Sequence, residues 1–245
     1  LIRSGLKKLL IVLFWLVLWQ VLSVLIDNSI LLAGPVESAR ALFKLAATSA
    51  FWLSVLLSVL KITLGFVMGL ALGIALASLS YRFSFFKSFI SPVVSVIKSI
   101  PVASFVIIVL IWAGSGGLST VISALVVFPM IYLNVLAGLE STDKKLIELA
   151  DMFSFGKISR ILYVYLPSIA PHLVSAVSIS SGMAFKSGIA AEVIGRPLSS
   201  IGNGLYLSKI SLATDNLFAW TFCAVILSYL FEKGISLLIR RIIKA

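Results

Sequence analysis

Acidic residues, cysteine and histidine are all scarce in this sequence, and each scarcity closes a class of chemistry. Its 245 residues include nine Asp and Glu, one Cys and one His. The lone Cys223 lies in an apolar run, so neither a disulfide framework nor a thiolate metal cluster can form within the chain. The lone His172 excludes histidine-based metal motifs such as HExxH. His172 with one of the many serines is the only nucleophile–base option for an intramembrane enzyme, and no GxSxG supports it. No Walker-type GxxxxGKS or GxxxxGKT occurs, and no soluble α/β segment is there to carry one. Alternating ten-residue strands are missing too, which argues against a membrane barrel.

What remains is apolar. Hydrophobic residues make up 60% of the chain and charged residues 12%, and the mean hydropathy is +1.16. Those values define an integral membrane protein, all-α and polytopic, embedded in a lipid bilayer. The net charge of +11 does not indicate nucleic-acid binding. The basic residues sit mostly at the ends of apolar runs, where they act as topology signals.

The apolar runs predict about six transmembrane helices in one domain over 1–245, spanning about 9–26, 51–79, 85–113, 118–139, 167–192 and 217–239. The run Leu9–Ile26 is longer than a signal-peptide core and no small-residue cleavage site follows, so it reads as a first span with a cytoplasmic amino end. Six spans place twelve basic residues in the cytoplasm and four outside, namely Arg40, Lys44, Arg196 and Lys209. The positive-inside rule therefore puts both termini and the loop 141–166 on the cytoplasmic side.

Several features stand out within the spans. Gly65, Gly69 and Gly73 recur every four residues, with Ala77 continuing the line, a small-residue stripe for close helix packing in lipid. Pro101, in Lys98-Ser99-Ile100-Pro101, is expected to bend or break its helix, which makes Lys98 and Pro101 candidates for a gate. Gly114–Gly117 marks a tight outer turn. Asn134 is the main polar group of the fourth span and is expected to hydrogen-bond across helices, with substrate contact as the other reading. Lys186 lies deep in the fifth span, where a lipid-facing charge costs roughly 2.5–3.5 kcal/mol, so it must find water or a partner. Glu192, six residues on, points about 120° away and lies about 9 Å further along the helix, so the two do not pair directly. Both are candidates for a translocation path.

The one sizeable polar interval inside the chain is Glu148–Pro167, ELADMFSFGKISRILYVYLP. Its spacing predicts a short amphipathic helix, a break near Ser154–Gly156, a second short helix from Ile158, and Pro167 in the first turn of the next span. This stretch resembles the signature loop of ABC importer permeases, E-A-A-x3-G-x9-I-x-L-P. Glu148 takes the Glu, Leu149 and Ala150 the two alanines, Ser154 the glycine, and Leu166-Pro167 the closing pair. Gly156 supplies a glycine two residues late. K-S-I-P-V-A-S-F and F-P-M-I-Y-L-N-V-L-A-G are similar to stretches of the nitrate/sulfonate/taurine branch of these permeases.

The resemblance implies a type I ABC importer permease fold with a cytoplasmic coupling helix-turn-helix, and no enzymatic activity in this chain. It implies a homodimer with a second permease copy, cytoplasmic ATP-binding subunits that hold the ATP and Mg, and an extracytoplasmic substrate-binding protein. The membrane would be a prokaryotic inner or plasma membrane. A small sulfonate-, nitrate- or taurine-like anion is the expected cargo. A thiamine precursor, a riboflavin-like molecule or another aromatic solute is the alternative. A self-powered secondary transporter is a reading of another class, for which no inverted repeat is found.

Overall fold

A computed structural model describes residues 2–244, and the basic side chains of Arg3, Lys8, Arg240 and Lys244 lie outside the described set. The described chain is helical throughout: α1 (Ile2–Ile26), α2 (Pro35–Ala46), α3 (Ser49–Arg82), α4 (Ser84–Ser99), α5 (Val102–Glu140), α6 (Lys144–Met152), α7 (Lys157–Arg160), α8 (Leu166–Gly195), α9 (Ile201–Ile210) and α10 (Thr214–Lys244). A π-helical stretch, Ile161–Tyr165, joins α7 to α8.

Three long helices, α3, α5 and α8, pack together and hold most of the core. The glycine stripe sets that packing. A Cβ on Gly65 would collide with the backbone carbonyl of Thr120, one on Gly69 would sit 2.8 Å from Val127 Cβ, and one on Gly73 2.7 Å from Ile131 Cβ. All three glycines thus face α5, and the bare backbone lets the two helices approach closely. Gly188 does the same for α8, where an added Cβ would lie 2.6 Å from Ile62 Cγ1. Thr120 Oγ1 donates to Lys61 O (3.0 Å), and Ser123 Oγ donates to Ala184 O (3.0 Å), stitching the three helices with side-chain hydrogen bonds.

Five helices of the described chain are long and apolar enough to cross a membrane, with α5 counted once although its backbone breaks at Gly114. The expected span 85–113 is divided. α4 ends at Ser99, Ile100 (φ −77°, ψ 131°) and Pro101 (φ −56°, ψ 133°) are extended, and helix resumes at Val102. The cause is local: proline removes an N–H and forces the residue before it out of helical geometry. The resumed helix is the first arm of α5, which carries non-helical backbone at Gly114 (φ 64°). Leu110 and Leu118 both close on Gly195, so the chain doubles back at Gly114. The expected tight outer turn is therefore made at Gly114, where two helical arms meet at a sharp kink.

Pro167 stands in the first turn of α8, as expected, but helical structure already precedes it. Helix begins ten residues earlier, at Lys157, and runs with one π stretch to Gly195. Leu166 N–H donates to Ile161 O, widening the turn just before the proline, where an unbroken α-helix would bring the ring against a carbonyl. The result is a helical rod from the polar loop to the far end of the bundle.

Candidate functional site

The polar loop folds as a helix–turn–helix. Asp143 caps α6, accepting from Lys145 N–H (2.9 Å). At the other end, Phe155 N–H donates to Ala150 O (2.8 Å) and Ser154 N–H to Asp151 O (3.0 Å). These two bonds form a Schellman motif, which requires a left-handed residue just past the helix. That residue is Ser154, at φ 52°. Gly156 is extended (φ −62°, ψ 162°), and a Cβ there would meet nothing within 4 Å. The backbone position that favours glycine is therefore occupied by Ser154, while the glycine two residues later has no conformational duty. An ion pair between Arg160 and Asp151 ties the two arms together, a link that sequence reading missed because the partners flank the turn.

On α6, Ala150 is 3% exposed and faces inward, whereas Glu148 and Leu149 are exposed. Met152 and Phe153 are 80% and 73% exposed. Among the described residues Glu148 has no side-chain hydrogen bond or ion pair. An acid thus stands beside large apolar side chains on the exposed face of a helix braced by a buried alanine. Leu166 and Pro167 lie behind it, in the rod that leads away from the loop.

The gate candidates divide among three places. Lys98 and Asn134 come together in a cavity of about 410 Å³, along with Ile100, Phe105, Pro129 and Met183. Pro101 sits at the broken corner beside it. Asn134 does not bond across helices. Its Nδ2 donates to Met130 O in its own helix (2.8 Å). Lys98 is the one charged group lining this otherwise mostly apolar space.

Lys186 instead faces a second cavity of about 360 Å³, shared with Glu232, Tyr229 and Ser228 of α10. Ser178 Oγ donates to Glu232 Oε1 (3.3 Å), and Gly182 leaves room for the carboxylate. Glu232 lies within the expected span 217–239, and sequence reading gave it no partner. Ser178 and Gly182, four apart on α8, were the available signal that it packs on that helix.

Glu192 lines neither cavity. Its side chain is fully buried (0% exposed) where α3, α8 and α9 meet. Ser58 Oγ donates to its Oε2 (2.7 Å), as does Gly202 N–H (3.2 Å). Glu192 thus meets other helices, apart from the cavities that hold Lys98 and Lys186.

Two comparisons bear on this arrangement. Residues 69–244, well over half of the chain, match the family model described as binding-protein-dependent transport system inner membrane component. A Bacillus subtilis protein named as an aliphatic sulfonates transport permease is 25% identical over 150 residues, covering 61% of this chain and 54% of the relative. The taurine transport system permease protein of Escherichia coli is 26% identical over 148 residues, covering 59% of this chain and 53% of the relative. The chain spans about half the length of the curated relatives it matches.

Proposed function

The chain belongs to the family of binding-protein-dependent transport system inner membrane components, and on that premise we propose that it is the multi-pass permease subunit of an ATP-driven importer. The observation that carries this reading is the exposed face of α6: Glu148, Leu149, Met152 and Phe153 around the buried Ala150, joined through one helical rod to the far side of the bundle. A cytoplasmic ATP-binding subunit, holding the ATP and Mg, docks on that face. Its closure moves α6, and the rod Lys157–Gly195 carries the movement to the cavity walls. Both termini lie in the cytoplasm in this reading, which the distribution of basic residues supports. A second copy completes the pathway, and an extracytoplasmic binding protein delivers the solute.

The access change is a two-state equilibrium, and nucleotide or solute shifts it only through different affinities for the two states. The break at Ile100–Pro101 and the π stretch Ile161–Tyr165 are the non-α-helical joints bordering the moving parts. Lys98, in the 410 Å³ cavity, supplies a positive charge where a small anion passes. With two relatives named for sulfonate and taurine transport, a small sulfonate-like anion is the cargo this cavity suits best.

The test is a coupled assay in liposomes holding the assembled transporter. Glu148→Ala, or a tryptophan at Ala150, is expected to abolish uptake while ATP hydrolysis continues. Normal uptake by both variants, in correctly assembled complexes, refutes the docking role.

A further inference from the structure

Among the described residues Glu192 is the most buried ionisable side chain, and neither cavity uses it. A carboxyl group out of reach of water needs hydrogen-bond donors, and here they come from two other helices. Ser58 of α3 donates its hydroxyl to Oε2 (2.7 Å), and Gly202 of α9 donates its N–H to the same atom (3.2 Å). Ser58 Oγ in turn accepts from Ile201 N–H (3.0 Å), and Ser200 Oγ accepts from Asn203 N–H (3.0 Å). Glu192, Ser58 and Ser200 therefore satisfy the free amides of the first turn of α9, which a helix cannot satisfy itself. The positive end of the helix dipole faces the carboxylate. Gly202 permits this approach, since a Cβ there would run into the Glu192 side chain and backbone.

We propose that Glu192 is a positioning residue, a buried latch that fixes the start of α9 to the end of α8. α8 is the same rod that begins at the docking loop, so the latch makes α9 move as one body with that loop's movements. The other oxygen, Oε1, and the hydroxyl of Ser119 on α5 are both buried and lie beside each other. The latch thus holds α9 to α3 and α8. The latch stands on this geometry alone. Its consequence for transport rests on the permease reading above.

The test uses the full chain in lipid nanodiscs, with Cys223→Ser and spin labels at Ala190→Cys and Lys209→Cys. Wild type and Glu192→Gln, which keeps an acceptor oxygen, are expected to give one narrow distance. Glu192→Ala should add a longer component and speed amide exchange at Ile201 and Gly202 tenfold or more, with the α5 core unchanged. Wild-type distances and exchange in Glu192→Ala overturn the latch. Should Glu192→Ala fail to fold, Ser58→Ala removes the acceptor of Ile201 N–H and one donor to Glu192, keeps the carboxyl and its bond from Gly202, and should speed exchange at Ile201. Unchanged exchange at Ile201 is then the refuting result. In the assembled transporter, a loosened α9 with full uptake overturns the coupling role. If the unaltered transporter shows no ATP-driven uptake, the permease reading fails, while exchange still decides the latch.

Discussion

Ser154 offers a sharp test of how the docking loop is built. Its left-handed backbone (φ 52°) costs a residue with a Cβ about 1–2 kcal/mol. Ser154→Gly removes that strain but adds unfolded-state freedom worth about 0.5–1 kcal/mol. The difference leaves the loop about 0.5–1 kcal/mol more stable, or about two- to fivefold in its opening equilibrium. Amide exchange reads this directly at Ser154 and Phe155, whose N–H groups donate to Asp151 O and Ala150 O. Both should slow by that factor. Gly156→Ala should change neither, because its backbone is extended and its surroundings are open. Faster exchange in Gly156→Ala, with no slowing in Ser154→Gly, would show that the turn is registered on Gly156 and refute the argument.

Other outcomes follow from the same geometry. Replacing Gly65 by Ala should destabilise the protein more than replacing Gly73, because its new methyl meets a backbone carbonyl rather than a side chain. A thermal-unfolding series in detergent ranks the two. Lys98→Met should lower uptake of a small anion at least tenfold, while Lys98→Arg keeps most of it. Competition uptake with a neutral analogue separates loss of charge from loss of shape. Arg160→Ala breaks an ion pair that is partly exposed, so the protein should lose only about 0–1 kcal/mol. The loop amides, not the global transition, should report it.

Much of this architecture is written in local sequence pattern. The Gly65–Gly69–Gly73 stripe has a helical period, and period alone tells which residues share a face. The docking loop is legible for the same reason: capping, amphipathic spacing and a break lie within a few turns. Partners far apart in sequence are not legible. Ser58 lies 134 residues from Glu192, so the carboxylate reads in sequence only as a charge near the end of a span. Glu232 reads as a charge without a partner until α8 and α10 are packed together. Pro167 in the first turn of α8 is legible, whereas the π stretch that joins α8 to the short helix before it is not. The division of the third span at Pro101 is legible. So is the doubling back at Gly114, because the glycine run reads as a tight outer turn.

The central claim is that α6 docks a separate ATPase, and cross-linking tests it most directly. A photoreactive residue at Met152, 80% exposed, should attach the chain in its native membrane to an ATP-binding subunit, whereas the same residue at Lys209, beyond the opposite end of α8, should not. A correctly inserted chain that yields no such adduct at Met152, together with uptake driven by an ion gradient without ATP, would contradict the account.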